Sequence, residues 1–299
     1  MTNFYNIAIV LSFVGLWINA ILPQNLEIIL GFLLIFSFGI LHGSNDILIL
    51  DTIENKKSQF PFLKILITYV ITVLIVVVVF YMLPSFALLL FILFSGFHFG
   101  QQHWEHKDLN VSMVVKNMFY AIYGLLVLNL LFVCQSKDVI NIVDIITGQK
   151  ITVTLIQYTF IVNTILLITA AGYLLLKNSD LKSQLLAEVF YLLLFAIIFK
   201  VGTLIWSFAI YFIFWHSIPS LLEQIQFIYG NISKKSIWDY CKKALPYWLV
   251  SLTGMAVLVY LFEDTALFYA LFFSFIAAVT FPHTIVINKL FMNKKTQPE

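Results

Sequence analysis

The chain alternates long apolar runs with short polar or lysine-bearing breaks. A membrane-spanning helix needs about 20 mostly apolar residues. Runs close to that length lie at 4–23, 26–50, 61–83, 86–102, 113–134, 153–176, 185–199, 202–224, 245–262 and 265–290, which predicts about ten helices. The division inside 185–224 rests on Lys200 and Gly202 as a short break. No internal repeat, low-complexity tract or second domain stands out. The expected fold is all-α: a polytopic integral membrane helical bundle in which residues 1–299 form a single transmembrane domain.

Composition strengthens that expectation. Apolar residues make up 61% of the 299, mean hydropathy is +0.97, and only 11% are charged, whereas soluble domains run near one quarter. The formal charge of +2 contains no basic cluster of the kind nucleic acid binding requires. Cys134 and Cys241 are too far apart to give a metal spacing or a disulfide framework. The opening "MTNFYNIAIVLSFVGLWINAILP" has no basic n-region and no small-residue cleavage site, so it reads as a retained first span.

The lysines sort by side. The segments following the second, fourth, sixth and eighth helices, together with the C-terminal tail, hold 14 of the 17. Lys137, Lys150 and Lys200 fall on the other side. By the positive-inside rule both termini are expected in the cytoplasm. The absence of arginine and the heavy use of lysine, isoleucine and asparagine point to an AT-rich bacterial genome, and the expected location is a bacterial inner membrane.

Against this apolar background the histidines draw attention. His42 comes late in the second helix, His98 late in the fourth, His216 in the second half of the eighth and His283 late in the tenth. All four helices run from outside to inside, so the four imidazoles are expected at similar depth in the cytoplasmic half. Ionisable groups inside a membrane are functional by default, and imidazole is a common ligand for iron, zinc, copper and nickel. Together the four read as an inward-facing metal site. Each taken alone reads more readily as a hydrogen-bonded core group or an interfacial residue. An intramembrane aspartate costs about 2.5–3.5 kcal/mol at the centre of a span, and Asp46 follows His42 by four residues. It is positioned to accept the second N–H of His42 or of a ligand on another helix, or to reach the cytoplasmic interface as a solvated carboxylate. Pro219 and Pro282, beside His216 and His283, predict kinks that aim those rings. His103 and His106, in "QQHWEHKD", fall at or beyond a helix end, with His103 the better ligand candidate. The segment "GNISKKSIWDYCKKALPYW" reads as a basic interfacial helix on anionic lipid.

The motifs "LHGSND", "SGFHFGQQHW", "FWHSIPS" and "FPHTIVI" occur in the order found in the Brp/Blh family, the bacteriorhodopsin-related β-carotene 15,15′-dioxygenases, which this chain resembles from its second helix to its tenth. The resemblance implies an integral membrane enzyme that uses ferrous iron, Fe(2+), and O2 to split β-carotene, or a related apolar carotenoid, into two molecules of all-trans-retinal. A retinal-binding rhodopsin is the implied consumer. It also implies that His42, His98, His216 and His283 are metal ligands and that Asp46 is the acid of the H-G-x-x-D motif. One departure stands out: where the family's H-S-x-x-H places a second histidine, this chain has Ser220. His283 or His103 then completes the ligand set, or the site is impaired. Other readings predict different observations. A di-iron desaturase needs more closely spaced histidines, a haem carrier gives a Soret band, and an ion-coupled transporter binds no metal.

Overall fold

In hydrocarbon every backbone N–H and C=O must be satisfied within the protein, and a helix does this within one segment. The computed structural model describes residues 2–54, 61–107, 109–178, 181–261 and 265–296. Among these residues there is no strand, and the chain is an all-α polytopic membrane protein. Lys56, Lys57 and position 262, the last of the expected 245–262 helix, lie outside the described residues. The helices are α1 (Thr2–Ile21), α2 (Gln24–Leu34), α3 (Ile40–Gly43), α4 (Asp46–Glu54), α5 (Pro61–Met82), α6 (Pro84–Trp104) and α7 (Met113–Cys134). They continue as α8 (Ser136–Thr147), α9 (Val153–Lys177), α10 (Leu181–Val201), α11 (Leu204–Tyr211), α12 (Ile218–Tyr229), α13 (Lys234–Leu261) and α14 (Thr265–Thr296). Wide π-helical turns at Ile35–Gly39 and Phe212–Ser217 join α2 to α3 and α11 to α12.

Eight helical stretches among the described residues are long and apolar enough to cross a membrane, and α5 adds a shorter apolar stretch, Leu66–Met82. The expected break at Lys200 and Gly202 is present: α10 ends at Val201, and the Thr203 side chain accepts from Trp206 N at 3.3 Å to cap α11. Three features differ from the sequence expectation. The 26–50 run is interrupted at Ser44 and Asn45, between α3 and α4. Residues 136–147, expected as a connection, form α8. The lysine-bearing segment after Ser233 is continuous with the helix that follows it, through Pro246, as the single α13.

The residues group into two compact units. The first comprises Met1–Ile35, Ile92–Asp144 and Gly148–His216; the second comprises Phe36–Phe91, Ile145–Thr147 and Ser217–Glu299. In the first unit α7 packs on α9 and α10, and α2 packs on α11. Small residues let α6 and α7 meet backbone to backbone. A Cβ on Gly100 would stand 1.8 Å from the Tyr120 carbonyl oxygen, and one on Gly124 equally close to that of Gly96. Polar staples hold the α10–α11 break: Thr203 N donates to Glu27 Oε1 at 2.6 Å, and Gln135 Nε2 donates to the carbonyls of Phe199 and Gly202.

In the second unit α14 packs on both α4 and α5, which also pack on each other. Ile49 of α4 meets Val286, Ile287, Leu290 and Phe291 of α14 in one apolar cluster. Phe80 of α5 meets Ala277 of α14 in another.

Candidate metal centre

In the first unit two of the four intramembrane histidines face each other. His98 comes from α6, between the glycines that seat this helix on α7. His216 comes from the wide turn Phe212–Ser217, an irregularity frequent at functional sites. Pro219, just beyond the turn, has no N–H with which to continue an ordinary ladder. Trp215, the residue before His216, donates its indole N–H to Ser12 Oγ at 2.9 Å and anchors the turn to α1. The His98 and His216 ring centres are 4.6 Å apart at an interplanar angle of 79°. Phe99 and Phe212 flank His216, at 4.6 and 5.5 Å between ring centres.

The second unit holds the other two. His42 follows the wide turn Ile35–Gly39 and is buried. His283 of α14 lies edge-on to it, with ring centres 4.7 Å apart at 88°. Asp46, buried to 1% exposure, is the first residue of α4. Its Oδ1 accepts from His283 Nδ1 at 2.8 Å and its Oδ2 from the Tyr69 hydroxyl at 3.0 Å. On an uninterrupted helix Asp46 would share a face with His42. The turn at Ser44 and Asn45 redirects it: Ser44 Oγ bonds back to the Ile40 carbonyl, while Asn45 Nδ2 donates to the Tyr240 carbonyl at 3.0 Å.

His103 and Ser220 stand in different networks. His103 Nε2 is 2.9 Å from Glu188 Oε2, which also accepts from the Tyr123 hydroxyl at 3.1 Å, and Glu188 Oε1 accepts from Lys107. Lys107 lies beyond the end of α6; burial pushes its ammonium down from the usual lysine value, and the Glu188 charge pulls it back up. Ser220 Oγ accepts from Gln224 Nε2 at 3.1 Å, and Gln224 Oε1 accepts from the Tyr240 hydroxyl at 2.6 Å. Burial raises the Tyr240 phenol well above its usual value, so it stays a donor.

The donor sets suit a metal. Two imidazoles bound at right angles to one ion, with metal–N near 2.1 Å, have ring centres about 4.5 Å apart, and the two pairs have ring centres 4.7 and 4.6 Å apart. Metal-bound histidines direct their second nitrogen to a carboxylate, a carbonyl or water. His283 does so to Asp46. Tyr69 and Glu188 are the additions that the structure brings. Glu188 had a signal in the sequence, as a lone acid inside "LLAEVFYLLLF"; Tyr69 had none.

Residues 33–291, a span that includes all four histidines, match the family described as beta-carotene 15,15'-dioxygenase. No curated protein and no solved structure matches the chain. With most of its length inside that match, the chain belongs to the beta-carotene 15,15'-dioxygenase family.

Proposed function

We propose that this chain is an iron-dependent dioxygenase that cleaves β-carotene at its central double bond with O2 to give two molecules of all-trans-retinal. One observation carries the reading: within a family match spanning residues 33–291, four buried histidines form two close, near-perpendicular pairs. In this reading His42, His98, His216 and His283 are the residues that serve as iron ligands. His103 is left out because its carboxylate partner, Glu188, is already matched by the Lys107 ammonium, and Ser220 because its oxygen accepts from Gln224.

The iron supplies the electron transfer that lets dioxygen, a ground-state triplet, react with a closed-shell alkene. The chain's residues do the rest. Asp46 holds the Nδ1 proton of His283, which leaves the ring lone pair on Nε2 for the metal. Phe99 and Phe212 pack against His216 and keep water from it while offering an apolar surface to a polyene. Both oxygen atoms end in the products, one on each former alkene carbon. The reaction therefore needs neither a proton donor nor an external reductant, which suits neutral ligands in apolar surroundings.

The protein sits in this reading in a bacterial inner membrane with both termini cytoplasmic, and its retinal supplies a retinal-binding rhodopsin. The test is expression in a bacterial host that accumulates β-carotene, with retinal and residual carotene measured by chromatography. Two retinals formed per carotene lost is the expected result. Unchanged carotene, with the protein verified in the membrane, overturns the proposal.

A further inference from the structure

We infer that Tyr69 of α5 is a positioning residue for the metal centre: its hydroxyl holds Oδ2 of Asp46, so that Oδ1 stays on Nδ1 of His283 and fixes the lone pair on Nε2. The inference rests on the metal reading above and names a residue that neither the histidine motifs nor the H-G-x-x-D acid includes.

A buried carboxylate needs donors on both oxygens. With one oxygen on His283 and the other without a donor, Asp46 could turn about its Cβ–Cγ bond or take up a proton, and either change would release the imidazole. The Tyr69 hydroxyl, 3.0 Å from Oδ2, removes that freedom. The three residues come from three helices, Tyr69 from α5, Asp46 from α4 and His283 from α14, and each of these helices packs on the other two. Apolar contacts lock the arrangement, with Ile49 of α4 against Val286, Ile287 and Leu290 of α14, and Phe80 of α5 against Ala277 of α14. A tyrosine is suited to this role in an apolar region, because it brings a neutral donor on a rigid ring and needs no counter-charge.

The test uses the full chain purified into lipid nanodiscs, stripped of metal and titrated with Co(II), whose visible bands report ligation. Losing a residue that orients a metal-bound histidine costs about 10–100-fold in metal affinity. Tyr69→Phe, which deletes one oxygen, is expected to weaken Co(II) binding by about tenfold with only the small fall in the unfolding temperature of the metal-free protein that one lost hydrogen bond gives. Asp46→Ala weakens binding further, and Tyr69→Phe added to Asp46→Ala changes nothing more, because Tyr69 acts only through Asp46. A structural role for Tyr69 would give the same loss in both backgrounds, and that result overturns the inference. Wild-type affinity in Tyr69→Phe overturns it also, and this single variant decides if Asp46→Ala does not accumulate. Absence of Co(II) binding by the wild-type chain overturns the metal reading and the inference together. Binding by the wild type with a silent Tyr69→Phe overturns the inference alone.

Discussion

Each unit contains a buried histidine against a carboxylate, and the two pairs are built differently. In the first unit His103 meets Glu188 at 2.9 Å, and the same carboxylate is held by Lys107 and Tyr123. In the second His283 meets Asp46 at 2.8 Å, and the other oxygen of that carboxylate takes a neutral phenol. Glu188 is matched by a full ammonium charge, as a buried acid needs when it serves stability. It also occupies Nε2 of His103, the nitrogen at the far end of the ring. Asp46 meets its histidine at Nδ1, so that in a neutral ring donating from Nδ1 the lone pair falls on Nε2. The contrast teaches that a histidine–carboxylate contact does not by itself mark a ligand. In the proposed reading, the cation standing behind the acid separates a structural pair from one that orients a ligand.

The sharpest way to break this comparison is to remove each histidine. His283→Ala is expected to lower retinal formation at least 100-fold while the protein still reaches the membrane, in keeping with the loss of a ligand. His103→Gln keeps a hydrogen-bonding side chain beside Glu188 and is expected to retain measurable cleavage. Chromatography of carotene and retinal from the same host cells reads both. Cleavage that survives His283→Ala and disappears in His103→Gln would reverse the two assignments.

Glu188→Gln turns the comparison toward stability. It leaves the Lys107 ammonium, at 16% exposure, without its carboxylate. Breaking one side of a buried pair costs about 3–5 kcal/mol. A denaturant or thermal unfolding curve of the purified protein checks this. Asp46→Asn, by contrast, is expected to spare unfolding and to lower metal affinity. Equal stability losses from the two substitutions would erase the distinction between the pairs.

The long apolar runs made the helices readable, because spanning length and hydropathy follow from the bilayer itself. The interruption at Ser44 and Asn45 was not readable. "GSND" lies inside a continuous apolar run, and its turn is set by contacts such as Asn45 with Tyr240, far away along the chain. α8 escaped for another reason: "SKDVINIVDIIT" has helical spacing, but it is too short to span. At the site, residue type alone singled out the four histidines and Asp46. The partner of Asp46 was hidden, since the turn chooses His283 over His42. Tyr69 is one of 14 tyrosines with nothing local to distinguish it. Glu188 was legible as an acid within a span, and "GFHFG" carried the small-residue spacing that seats α6 on α7.

That seat gives a way to disturb one pair and leave the other intact. Gly100 lies between His98 and His103 on α6, where an added Cβ would meet the Tyr120 carbonyl oxygen at 1.8 Å. Gly100→Ala must move α6 from α7, which carries Tyr123 of the Glu188 network. Overpacking of this kind costs about 1–3 kcal/mol. The expected result is a lower unfolding temperature and reduced cleavage through His98, with no change in the contact between Asp46 and His283. A fully active and equally stable Gly100→Ala protein would mean that the close approach of α6 and α7 does not hold His98 in place.

The smallest expected effect comes from Ser220, the position at which the chain departs from the motif it resembles. If the Ser220 oxygen were a metal ligand, Ser220→Ala would remove a coordinating atom and both metal content and cleavage would fall sharply. In the structure that oxygen accepts from Gln224, which is itself bonded to the Tyr240 hydroxyl. Ser220→Ala then removes one neutral hydrogen bond and leaves one amide hydrogen of Gln224 without its acceptor. The expected loss is about 1 kcal/mol of stability, with iron content and retinal yield close to wild type. Metal analysis of the purified variant beside its unfolding curve separates the two cases. Normal iron with a small stability loss would make His283, held by Asp46, the residue that completes the set of four imidazoles. Iron loss out of proportion to the change in stability would return Ser220 to the ligand set.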